Sequence, residues 1–150
     1  MKNPLSKMTF FFMMAFIFGA AHGQDMVDIT SPNNGDEVGA TVIVKGTSDI
    51  GNQGNVWVLL HVKALSGQWW PQNKPYRDPA TGNWEALVYF GGPQDIDSDF
   101  EIAVATFTGE AEKEILKYHE HGRKTKHYPP MSFPETTSDI KKIIVTKISH

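Results

Sequence analysis

The chain has no cysteine. Without thiols there are no disulfides, no thiolate nucleophile and no sulfur-rich metal site, and stability has to come from a hydrophobic core. No Cys is present to carry an N-terminal lipid. Cations are also scarce: 14 Lys and Arg stand against 17 Asp and Glu. That balance argues against a general nucleic-acid role, which needs a basic surface. Familiar catalytic signatures are missing too. The sequence contains no G-x-S-x-G elbow, no H-E-x-x-H and no phosphate-cradling glycine loop. There is no Asn-X-Ser/Thr glycan acceptor either. These absences together predict a protein that is not an enzyme.

Long apolar runs are missing except at the start. Lys2 and Lys7 precede the almost unbroken run Met8–Phe18, and small residues follow, with Ala21 and Gly23 placed for a cut before Gln24. This is the layout of a secretory signal peptide over residues 1–23. The run is shorter than the roughly 20 residues a membrane span needs. The expected product is a single domain over residues 24–150, exported to the periplasm or beyond, with no transmembrane segment in the mature chain. Its 127 residues are enough to bury a core, and without Lys2 and Lys7 they carry 12 cations against 17 anions, a net charge of −5.

What is present is mostly strand pattern. Alternating or apolar stretches run over 26–30, 38–48, 55–63, 69–72, 84–90, 100–107 and 143–148, with turn-forming clusters such as Ser31-Pro32-Asn33-Asn34-Gly35 and Gly91-Gly92-Pro93 between them. Seven short strands at this spacing predict a mainly β sandwich. Asn55–Lys63 is the strongest: Val56, Val58, Leu60 and Val62 on one face, Trp57 and Leu59 on the other, which predicts an interior strand covered on both sides. One segment departs from the pattern. Glu110–His121 places Ala111, Ile115 and Tyr118 at helical spacing with Leu116 beside them, and Gly122 reads as its C-cap. The surface that this helix covers is expected to be the Trp57 and Leu59 face. Residues 73–82 read as a Pro-rich loop, and 123–137 as a long one.

Two groups of residues carry a family resemblance. Ile29-Thr30-Ser31-Pro32-Asn33-Asn34-Gly35-Asp36-Glu37-Val38, followed by Val42-Ile43-Val44-Lys45-Gly46-Thr47-Ser48, resembles the opening of bacterial immunoglobulin-like domains of exported or surface proteins. Val56-Trp57-Val58, Trp70-Pro71-Gln72 and Gly82-Asn83-Trp84 through Phe90-Gly91 are similar to a subset of those domains. The resemblance implies an immunoglobulin-like sandwich of about seven strands with one helix inserted before the last strand. It also implies a binding or interaction module, with a protein or a glycan at the cell envelope as partner.

The candidate ligand-binding residues are Trp69, Trp70, Gln72 and Tyr76, because flat rings stack on sugar faces. A carbohydrate-binding module is therefore the alternative reading, with core and edge packing as the ordinary role of such rings. Trp69 and Trp70 are adjacent in an extended segment and must point to opposite sides, so one is expected inside and one outside. Trp84 is expected in the core. Asp95, Asp97 and Asp99 place carboxylates at alternate positions, a pattern that calcium favours, although Phe100 and Thr106 stand where an EF-hand loop needs Gly and an acid. No other cofactor is implied. His119 and His121 lie about 200° apart around a helix and cannot share one ion there. Arg123-Lys124-Thr125-Lys126-His127 makes a local basic patch, ordinary for a solvated loop.

Overall fold

The computed structural model describes residues 26–49, 54–136 and 138–150. The predicted signal segment, residues 1–23, lies outside them. The described residues form β1 (Val27–Ser31), β2 (Glu37–Val38), β3 (Thr41–Ser48), β4 (Asn55–Val62), β5 (Trp70–Pro71), β6 (Tyr76–Arg77), β7 (Asn83–Tyr89), β8 (Asp99–Phe107), α1 (Gly109–Thr125) and β9 (Lys141–Lys147). They build two sheets, one of four strands in the order β1-β3-β7-β6 and one of five in the order β2-β9-β8-β4-β5. The molecule is a mainly β sandwich with its helix just before the last strand.

Nine strands stand where seven were expected, for two reasons. The stretch 38–48 breaks at Gly39-Ala40, so that β2 leaves for the other sheet and pairs parallel with β9 (Glu37 opposite Thr146), while β3 pairs with β1 and β7. Inside the Pro-rich loop, Tyr76 and Arg77 pair with Glu85 and Trp84 as β6. No local pattern favours that strand. Arg77 is anchored at a distance, donating from Nε to Ser48 Oγ at 2.6 Å and from its guanidinium to the Asp49 carbonyl.

Alternation decides which side chains meet between the sheets. Val44, Trp84, Ala86, Val88 and Phe90 from the four-stranded sheet meet Val56, Val58, Leu60, Phe100, Ile102, Val104 and Val145 from the other. Trp84 is 2% exposed, as its place in the pattern predicts, and its indole donates to the Thr47 carbonyl at 3.0 Å. Gly46 lies directly opposite it, and a Cβ there would fall 1.9 Å from the Asp28 carbonyl oxygen and 2.3 Å from the indole.

A second core lies outside the five-stranded sheet. Trp57, Leu59, Ala103, Ala105 and Phe107 turn away from the sandwich and pack under Ile115, with Trp69, Ala111 and Phe133 around them. The two alanines let the helix approach, and Trp57 Nε1 donates to Glu112 Oε1 at 3.3 Å. β4 is thus interior and covered on both faces, as its composition predicts. Leu116 is exposed rather than part of that contact.

Gly122 is not the helix C-cap. The helix runs on to Thr125 and is closed by Lys126 in the left-handed region (φ 59°), whose N–H donates to the Gly122 carbonyl. Glycine is needed at 122 because the Tyr128 ring lies against its backbone, where a Cβ would meet Cε1 at 2.0 Å. Acidic Glu110 and Glu112 at its start and basic Arg123 and Lys124 at its end suit the helix dipole.

Candidate functional site

The residues after α1 return across β5. Trp69 and Met131 exchange backbone hydrogen bonds at 2.9 Å in each direction, so the long loop is strapped to the sheet edge and shields part of it. The strap brings Phe133 edge-on to Trp69, with ring centroids 4.9 Å apart. It also carries Tyr128 to within 6.0 Å of Tyr118.

Between this strap, β5 and the turn after β7 lies a cleft of about 650 Å³, within the ordinary range for small-ligand sites. Its floor is the end of the sandwich, at Leu60, Val62 and Phe100. Its walls are the rings of Trp70, Tyr89, Tyr118, His119 and Tyr128, and its polar lining comes from Gln72, Asn73, Gln94 and Asp95. Tyr89 and Tyr128 are about half exposed, at 51% and 45%, so their rings are open to an incoming molecule.

The charge in the cleft is nearly all accounted for. Asp95 Oδ2 accepts from the Gly92 N–H at 2.8 Å and from Gln94 Nε2 at 2.9 Å. Burial pushes the His119 imidazole below its ordinary pKa; the Gln72 carbonyl opposes this and Arg123 adds to it. The ring stacks on Trp57 with centroids 5.6 Å apart, and its Nε2 is buried with no hydrogen-bond partner among the described residues. Burial also raises Tyr118, to about 12, with Tyr128 contributing. Its phenol therefore stays protonated, a hydrogen-bond donor across the physiological range.

The structure separates the four residues expected to bind a ligand. Trp70 lines the cleft, half-buried. Gln72 lines it too, but its side chain ties the two sheets together: Nε2 donates to the Trp70 carbonyl at 3.0 Å and Oε1 accepts from the Tyr89 N–H at 3.0 Å. Trp69 points the other way, as adjacent residues in a strand must. It is 7% exposed, stacks on His61 at 4.8 Å and has Lys142 Nζ 5.2 Å from its ring centre, which makes it a core residue and not a ligand contact. Tyr76 is exposed but sits on the other sheet, in a separate hollow with Trp84 and Asp78. Trp70 and Tyr76 therefore do not form one platform.

The three aspartates are used by the fold. Asp95 caps the short 3-10 turn Pro93–Asp95, Asp97 sits in the left-handed region (φ 65°) with its N–H on the Lys147 carbonyl, and Asp99 accepts from Thr146 Oγ1 at 2.7 Å. Lys147 is fully buried and donates from Nζ to the Gly92 carbonyl, so the acidic segment is wound around the end of β9. Among the described residues no three His, Cys, Asp or Glu side chains are grouped to hold a metal ion, and the calcium reading of Asp95, Asp97 and Asp99 gains no site.

Tyr89, Tyr118, His119, Tyr128 and Gln94 were not anticipated from the sequence. The helical spacing places Tyr118 on the apolar face of the helix, with nothing in it to point to a cleft. Tyr128, three residues beyond the helix end and followed by Pro129-Pro130, was the available signal.

No family model matches the chain, and no curated protein does. Its structure is similar to the X-ray structure of the endo-beta-1,4-mannanase from Thermotoga petrophila, with a TM-score of 0.45 and 12% sequence identity over 89% of this chain and 22% of that one. The chain thus spans about a fifth of that protein's length, and a likeness this slight carries no inference about activity.

Proposed function

We propose that this protein is an exported, non-catalytic binding module of immunoglobulin-like type, and that its ligand seats in the cleft beside β5. The observation that carries the reading is the lining: five open or half-open aromatic rings around neutral amides, with a single carboxylate, Asp95, among the described lining residues. Such a wall suits recognition by stacking and hydrogen bonding. A carboxylate pair or a nucleophile with its base would be the wall of a catalyst.

The strand order supports the immunoglobulin-like resemblance. Taken in chain order, β1-β3-β7-β6 and β9-β8-β4-β5 follow the arrangement of the two sheets in immunoglobulin domains, with the helix in the connection before the last strand. Export rests on the signal-like residues 1–23.

The test is a screen of small anionic, cationic and uncharged fragments against the ¹⁵N-labelled protein. Shifts should cluster on Trp70, Tyr89, His119 and Tyr128. Fragments that bind only elsewhere would contradict the assignment.

A second reading, protein docking on the four-stranded sheet, draws on exposed Ile43 and Leu87, which pair directly across β3 and β7. In that case the fragment screen would leave the cleft unmarked, and Ile43→Lys would abolish partner binding.

A further inference from the structure

We propose that the ligand of this cleft is a neutral saccharide chain, stacked on Trp70 and held by the tyrosine hydroxyls and the Asn73 and Gln94 amides. The inference rests on the cleft being the binding site and goes on to its chemistry. An anionic ligand would need a free cation in the walls, and among the described residues neither Lys nor Arg lines them. A cationic ligand would meet a single carboxylate, Asp95, whose Oδ2 already accepts from the Gly92 N–H and Gln94 Nε2, with no second acid beside it among the described lining residues. A purely apolar ligand would strand Asn73, Gln94 and the phenols against a surface that offers them no hydrogen bonds.

What remains is a molecule with flat apolar faces and many uncharged hydroxyls. Pyranose rings have both: axial C–H groups to lie on an indole, and equatorial hydroxyls to exchange hydrogen bonds at the rim. Burial disfavours charge on His119 and Tyr118, which leaves Asp95 as the charged side chain among the described lining residues and keeps the Tyr118 phenol as a donor. The volume of about 650 Å³ and the open mouth between the Tyr89 and Tyr128 rings suit a few sugar units of a longer chain.

The experiment is isothermal titration of the purified protein with neutral hexamers of glucose, mannose, galactose and N-acetylglucosamine, and with oligogalacturonate and oligoglucosamine as charged counterparts. At least one neutral hexamer should bind, and neither charged oligomer should bind more tightly. Trp70→Ala should weaken binding by about tenfold or more, Trp70→Phe should restore part of it, and Tyr76→Ala in the other hollow should leave it unchanged. Unchanged melting curves exclude loss of fold in these variants. If no neutral hexamer binds while fragments still mark the cleft, the saccharide assignment falls and the binding site stands. If neither sugars nor fragments reach the cleft, both fall. Tighter binding of a charged oligomer, or a sugar effect lost in Tyr76→Ala but kept in Trp70→Ala, also overturns the proposal.

Discussion

On its outer face the five-stranded sheet presents Trp57, Leu59, Ala103, Ala105 and Phe107, which α1 and its following loop bury, while farther along the same face His61, Glu101 and Ile144 are half-buried and Lys142 is exposed. Those of the four-stranded sheet are Ile43, Lys45, Glu85, Leu87 and Tyr89, and all are exposed. The two sheets share one inner core and differ in what covers the outside. The cleft lies at the end of the sandwich, where the helix and its return loop supply the wall that faces β5 and Tyr89 of the bare sheet also lines it. Among the described residues no such second layer covers the bare sheet.

That contrast can be broken most severely at Ile115, which is fully buried at the centre of the helix contact. Ile115→Ala should cost about 2–4 kcal/mol in urea unfolding, as cavity-forming truncations do. A loss near zero would mean that the helix is not docked as described. Gly46→Ala tests the inner side of the bare sheet. Its Cβ has to displace the Asp28 backbone and the Trp84 indole, so a loss of about 1–3 kcal/mol is expected from overpacking. Leu87→Ala, on the outer side of that same sheet, should cost less than about 1 kcal/mol, since it removes only a surface cross-strand contact with Ile43. A larger loss would show that something covers the bare sheet in solution.

The smallest expected effect is in pH dependence. Burial lowers the His119 pKa in the fold from its usual 6.5. Between those two values the unfolded chain binds the proton and the folded one does not, so stability falls as pH drops below about 6.5 and levels off under the folded pKa. Urea midpoints at several pH values, compared with His119→Gln, isolate that contribution: the gap should change in this window and in the variant's favour as pH falls. Tyr118 behaves in the opposite sense, losing its contribution as pH rises from about 10 towards 12.

Much of the sandwich was legible because strand alternation is a local signal. β7 reads buried and exposed in strict turn, as its sequence does, and β4 is apolar on both faces because both are covered. Trp57 and Leu59 even indicated where the helix would sit. The misreadings share one cause, a distant partner. Gly122 looks like a helix stop until the Tyr128 ring is found against it. Tyr76–Arg77 looks like loop until Ser48 and Asp49 hold Arg77. The spacing of Asp95, Asp97 and Asp99 suggested shared chemistry, yet each binds a different part of the backbone or of β9. The cleft was the least legible feature. Its walls come from β4, β5, the end of β7 and the turn after it, the helix and the loop beyond, and of its lining the sequence pointed to Trp70 and Gln72 as ligand contacts and to Asp95 only as a calcium candidate.

The central claim, a saccharide site built by the covering helix, is tested most directly at the indoles. The chain has four tryptophans; Trp57, Trp69 and Trp84 are buried and Trp70 lines the cleft. A ¹H–¹⁵N titration with the neutral hexamers should move the Trp70 indole resonance progressively and leave the Trp84 resonance, on the far sheet, in place. Movement at Trp84 with Trp70 unchanged, or no movement at any indole, would contradict the account.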